Sequence, residues 1–144
     1  MNPNTLLGDI MTQMPITVTS VTTLPEINRI FEEHSFHHLP VVDHAKLTGI
    51  ISRQDFLQVK HVLSSGWNRG VSHNDGFHSF VARDCMTEYP MCLAPDDTVG
   101  LAADIFLSNK FHALPIIEED VLVGIVTAHD LISYAFESPI EEGP

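Results

Sequence analysis

Phe36-His37-His38-Leu39-Pro40-Val41-Val42-Asp43 and Phe111-His112-Ala113-Leu114-Pro115-Ile116-Ile117-Glu118 are written in nearly the same letters. Each runs on into an apolar strand and a small-polar turn, Gly49-Ile50-Ile51-Ser52-Arg53-Gln54-Asp55 in the first copy and Gly124-Ile125-Val126-Thr127-Ala128-His129-Asp130 in the second. Every residue of the second copy follows its counterpart by 75 positions, without a gap. Self-similarity at a fixed offset means one structural unit built twice, and this decides the fold before any local reading does.

Read outward from these strands, each copy spells strand, helix, strand, strand, helix. The Leu-Pro strand turns back through His44-Ala45 into Lys46 to Ser52, a β-hairpin. Both strands are nearly continuous apolar runs, the pattern of burial on both faces. Upstream, Leu24, Ile27, Ile30 and Phe31 form the stripe of an amphipathic helix opened by Thr22 or Thr23, with Glu26 in its first turn where the helix dipole favours an acid. Thr98 opens the counterpart, which carries Val99, Ala102, Ala103, Ile105 and Phe106. Ile16-Thr17-Val18 and Met91-Cys92-Leu93, each following a proline, are the expected first strands. Thr5 is the expected cap of a short helical turn reaching Met11, and Ser52 and Thr127 cap the closing helices. The chain thus divides into a first repeat over 1–63 with its N-terminal helix, a Gly-, Ser- and Asn-rich linker over 64–79, a second repeat over 80–137 and a flexible tail over 138–144.

The bulk numbers set limits on function. A chain of 144 residues with 44% hydrophobic and 18% charged residues is globular. A net charge of −12, with seven Lys and Arg in total, opposes affinity for a phosphate backbone, so no nucleic-acid partner is expected. Nothing approaches the ~20 apolar residues of a membrane span. A soluble cytoplasmic chain is expected. Cys85 and Cys92 flank Pro90 and match neither a redox pair nor a zinc pattern, which suits reduced structural thiols.

Ser52-x-x-Asp55 and Thr127-x-x-Asp130 admit two physical readings. Each is a helix N-cap with an acid three residues on. Each also aims a hydroxyl, free helix amides and an acceptor carboxylate at one spot, a grip for a phosphate and a ribose diol. The nine histidines are accompanied by no metal-ligating spacing, and His37 and His38 are adjacent and would face opposite sides of a strand, so neither a metal nor a catalytic centre is expected. No serine elbow, Rossmann loop or Walker loop is present.

Together, twice and in register, the Asp-x-Met-Thr, Leu-Pro and Gly-hydrophobic-hydrophobic-Ser/Thr-x-x-Asp elements resemble the cystathionine β-synthase (CBS) domain pair, or Bateman module, over Asp9 to Leu57 and Asp84 to Ile132. The resemblance implies an α/β (α+β) fold in which two β-α-β-β-α repeats pack with pseudo-two-fold symmetry around two clefts. It implies a regulatory sensor and not an enzyme, requiring no cofactor. Its clefts would take adenine nucleotides, AMP, ADP or ATP, with S-adenosylmethionine or NAD in some relatives. A homodimer and a separate effector enzyme or transporter as partner are implied as well. Asp55 and Asp130, with Ser52 and Thr127, take the ligand-gripping role. Thr17, Val18, His38 and Pro40, and in the second copy Cys92, Leu93, Ala113 and Pro115, would enclose the base. His37, His38 and His112 stand where relatives place phosphate contacts. Arg53 is the one strong cation of its turn, with Ala128 as its counterpart. The cleft bearing Ser52, Arg53 and Asp55 should therefore favour more phosphate than the one bearing Thr127, His129 and Asp130, unless Arg53 points to solvent or to a dimer mate. The rival reading is a ligand-free dimerisation or scaffold module.

Overall fold

The computed structural model describes residues 2–64 and 77–137. Its compact units do not follow the linear repeat. One unit is Ile16–Pro90; the other joins the N-terminal segment through Pro15 to the chain from Met91 onward. Most of the expected 64–79 linker, Trp67 and His73 included, and the whole 138–144 tail lie outside the described residues.

Along the chain the elements are β1 (Thr12–Gln13), α1 (Leu24–Glu33), β2 (His38–Asp43), β3 (Lys46–Ser52), α2 (Arg53–Ser64), β4 (Thr87–Glu88), α3 (Val99–Leu107), β5 (Ala113–Glu118), β6 (Val121–Thr127) and α4 (Ala128–Glu137). In the Ile16–Pro90 unit β3 lies between β2 and β4, antiparallel to both. Leu24, Ile27 and Phe31 of α1 face a core shared with Leu39, Val41, Ile51 and Phe56, and the Thr23 hydroxyl caps the helix by accepting from the Glu26 amide. Phe77, at the end of the expected linker, packs on this core with its ring centroid 6.2 Å from that of Phe56. In the second unit β6 lies between β5 and β1. Its core gathers Leu7, Val99, Ala102, Leu114, Ile116, Val126 and Leu131.

The hairpins form as expected, and their turns explain how. His44 and Ala45 take φ of 52° and 69°, and Glu119 and Asp120 take 50° and 66°, the doubly left-handed backbone of a two-residue turn that matches strand twist. Two expectations are corrected. Ile16-Thr17-Val18 and Met91-Cys92-Leu93 are not strands: Val18 alone bridges Val41, and Leu93 alone bridges Ile116, both in parallel. Only one residue per segment reaches the neighbouring backbone before the chain turns, as the Thr22 amide does in donating to Thr19 O. The short strands sit upstream instead, at Thr12–Gln13 and Thr87–Glu88. Nor does Thr5 cap the first helical turn: Leu7–Asp9 is a 3₁₀ turn preceded by Leu6, and the Thr5 hydroxyl meets Tyr134 Oη at 2.6 Å.

The N-terminal segment joins the second repeat because its own backbone and its leucine are satisfied there. The Leu7 and Gly8 amides donate to Asp97 O and Pro95 O, and the Val99 amide donates to Thr5 O. Correspondingly, the Ala82 and Arg83 amides donate to Thr22 O and Ser20 O in the first repeat. No helix among the described residues is long and apolar enough to cross a membrane.

Candidate functional site

Strand register brings the expected site residues together within each unit. His38 pairs with Ser52, and the Arg53 amide donates to His37 O at 2.7 Å, so the residues before the Leu-Pro stand at the mouth of α2. Val18 adds the facing edge, with its amide on Pro40 O at 3.1 Å. In the second unit Ala113 pairs with Thr127, and the Leu93 amide donates to Pro115 O at 3.0 Å. His112 is exposed one residue before β5, and His129 is exposed in the first turn of α4. The two clusters are equivalent in strand register.

Burial separates their members. Val18, Pro40 and Pro115 are enclosed, Ala113 is buried, and Cys92 and Leu93 are half-buried. Thr17 and His37 are exposed, and His38 is half-buried. The apolar members therefore belong to the packed layer first, and a ligand can meet them only along an edge.

The two Ser/Thr-x-x-Asp turns are not equivalent in chemistry. At α4 the turn is a closed capping box: the Thr127 amide and hydroxyl donate to Asp130 Oδ2 at 2.9 and 3.2 Å, and the Asp130 amide donates back to Thr127 Oγ1 at 3.3 Å. At α2 only half the box is made. The Asp55 amide donates to Ser52 Oγ at 3.0 Å, while the exposed Asp55 carboxylate accepts no hydrogen bond among the described residues. One oxygen of the Asp130 carboxylate is engaged by its own helix, whereas both oxygens of Asp55 are available.

Arg53 is placed differently from a cation awaiting an anion. Its Nη1 donates to Phe31 O at 2.8 Å, and its Nη2 to His34 O and Phe36 O at 2.7 Å each. Its Nε also donates to Phe36 O, at 3.1 Å. The guanidinium carbon lies 5.0 Å from the centroid of the Phe31 ring. Beside it a groove of about 640 Å³ follows α2 past His37, Gln54, Leu57, Gln58 and His61.

One polar cluster escaped the sequence reading. Asp43 accepts from the Ser20 amide and hydroxyl at 3.1 and 3.0 Å and from the Thr48 hydroxyl at 3.0 Å. The Ser20 amide above all holds the Asp43 carboxyl below the usual carboxylate range, against the opposing effect of burial, with help from both hydroxyls and from His44. The signal lay in the offset: the equivalent residues Pro95, Glu118 and Val123 cannot make this cluster. Neither cysteine is activated. Burial, then Asp84 and Asp55, push the Cys85 thiol up to about 11, and burial followed by Asp120 pushes Cys92 up too.

Comparison with known proteins agrees with this anatomy. The family model described as CBS domain matches residues 7–61 and 82–137. Inosine-5'-monophosphate dehydrogenase of Korarchaeum cryptofilum is 31% identical over 132 residues, covering 89% of this chain; the chain spans only 24% of that enzyme. Among solved structures, CBSX2 of Arabidopsis thaliana in complex with AMP matches with a TM-score of 0.75 and 25% identity, over 91% of this chain and 96% of that one. The CBS domain pair of protein MJ0100, in complex with 5'-methylthioadenosine and S-adenosyl-L-methionine, matches with a TM-score of 0.72 and 29% identity over 93% and 97% of the two chains. With both sequence repeats matched and each unit carrying the same strand and helix junction, the chain belongs to the CBS domain family and carries the domain twice.

Proposed function

We propose that this protein is a regulatory module that binds an adenine nucleotide, or a related adenosine derivative, and signals its presence to a separate effector. The observation that carries the reading is the available Asp55 carboxylate beside the Ser52 cap of α2. An ionised carboxylate is a pure acceptor, matched to the two hydroxyls of a ribose. AMP in the CBSX2 complex and S-adenosylmethionine in the MJ0100 complex support the choice of adenosine chemistry. Asp55, which accepts no hydrogen bond among the described residues, makes the first-repeat site the better ribose site, because Asp130 has only Oδ1 clear of its capping bonds.

Signalling requires that the ligand bind two states of the module with different affinity. A homodimer is part of the proposal. Leu57 on α2, and in the other unit Ile132 and Phe136 on α4, are half exposed or more, apolar side chains of the kind that pairing covers.

Isothermal titration calorimetry with adenosine, AMP, ADP, ATP and S-adenosylmethionine tests the reading. Saturable binding of at least one is expected, weakened roughly tenfold to a hundredfold by Asp55→Ala, the range for hydrogen bonds to a charged group. No heat at millimolar ligand for the native protein would favour the ligand-free scaffold. Native mass spectrometry of the same sample reads the oligomer.

A further inference from the structure

We propose that Arg53 is a positioning residue for the first-repeat site: it ties the end of α1 to the mouth of α2 and so fixes the segment that presents His37 and His38. This rests on the nucleotide-binding reading above. It assigns to Arg53 a role other than contact with the ligand's phosphates.

The argument begins at the end of α1. A helix leaves its last carbonyls without partners, and a cation near them is favourable. α1 has no basic residue in its last turn, and its C-cap, His34, is extended at φ −130°, so the chain makes no left-handed closure there. Arg53 supplies what is missing from elsewhere in the sequence. Its guanidinium meets Phe31 O inside the helix, His34 O at the cap and Phe36 O beyond it, which uses nearly all of its donors. The Phe31 ring beneath and the His34–Phe36 ring stack, with centroids 5.0 Å apart, complete the clasp.

The second repeat solves the same problem without an arginine. Asn109, at the position equivalent to His34, adopts φ 61°, and its amide donates to Phe106 O at 3.0 Å. The Ser108 amide likewise closes on Ile105 O at 3.1 Å. This is a local end of the left-handed type that asparagine tolerates. Ala128 stands at Arg53's place. The presence of arginine in one repeat and alanine in the other therefore follows from how each helix ends, and no difference in ligand charge is needed to explain it.

The consequence concerns the site. The Arg53 amide holds His37 O while its side chain holds Phe36 O, so one residue pins two consecutive carbonyls of the connection that leads into β2. Ordering that connection before the ligand arrives removes an entropic cost from binding. Because the contribution acts through backbone order, it is blind to the number of phosphates on the ligand.

Two measurements on the full chain decide the matter. Amide hydrogen exchange without ligand should accelerate at residues 34–38 in Arg53→Ala and, to a lesser degree, in Arg53→Lys, which keeps the charge but not the planar fork. Exchange in α3 and β5 should not change. Calorimetry should then show the same loss, roughly tenfold, for adenosine, AMP and ATP at one site, with the other unaffected. A general loss of stability would move both sites together, and a direct phosphate contact would give a loss that grows from adenosine to ATP; either overturns the proposal. Unchanged exchange at 34–38 overturns it too. If the native protein binds none of these compounds, the functional reading fails, and the exchange data alone still establish or refute the clasp.

Discussion

At the scale of single residues, the two acidic turns have different duties and should separate cleanly on mutation. Asp130→Ala removes the carboxylate that closes the α4 capping box, and a stability loss of about 1 kcal/mol is expected from chemical denaturation. Asp55→Ala leaves the Ser52 cap in place, so its stability should barely move while adenosine-ligand affinity falls. Equal destabilisation by both would mean that Asp55 is merely a cap. Asp43 carries a different prediction. Its carboxyl is held below the usual range by the Ser20 amide, so the folded state is favoured while Asp43 is ionised. That stabilisation is present above the unfolded-state value and is lost as pH falls through the lower folded value. Thermal melts from about pH 6 down to about pH 3 should therefore show a steeper decline for the native protein than for Asp43→Asn. Parallel curves would remove Asp43 from the acid response.

At the scale of elements, the repeated glycine before each Ser/Thr-x-x-Asp turn is explained by what packs against it. A Cβ on Gly49 would lie 2.5 Å from Met86 Sδ and 3.0 Å from Thr87 O. One on Gly124 would press on Met11 Sδ and lie 2.9 Å from Thr12 O. The methionine end is flexible, but the carbonyl belongs to the paired strand and cannot yield without moving the ladder. Each Gly→Ala substitution should cost on the order of 1–3 kcal/mol by denaturant unfolding, the range for forced overpacking. A neutral effect would mean that β1 and β4 are free to lift away. This contact also marks what the sequence made legible. The hairpins, the amphipathic stripe on α1 and the N-caps at Thr23, Ser52, Thr98 and Thr127 follow from local periodicity and turn chemistry, and they are read from letters alone. Ile16-Thr17-Val18 also has the letters of a strand, yet only Val18 finds a partner, because strand pairing is decided by a neighbour that local composition does not name. The carbonyls that the Arg53 guanidinium meets are hidden from the sequence for the same reason: Phe31, His34 and Phe36 are distant from it along the chain.

At the scale of the whole molecule, the sequence repeat and the folded unit are offset by one segment. The Asp-x-Met-Thr motif at Asp9 to Thr12 belongs in sequence to the first repeat, yet β1 pairs with β6 and Leu7 is fully buried in the second unit's core. Likewise Asp84 to Thr87 serves the first: β4 pairs with β3, and Ala82 sits in that core. Periodicity cannot reveal this exchange, since both copies carry the same motif and either pairing satisfies the pattern. Burial decides it. Leu7→Ala should therefore damage the unit to which Leu7 contributes its side chain, not the repeat in which it is encoded. A fully buried leucine cut to alanine costs about 2–5 kcal/mol, depending on how far the cavity collapses. Native-state hydrogen exchange should accelerate in β5, β6 and α3, whose side chains share the Leu7 core, while β2, β3 and α1 keep their protection. The outcome that would overturn the exchange of segments is the reverse pattern, with protection lost in β2 and β3 and retained in β5 and β6.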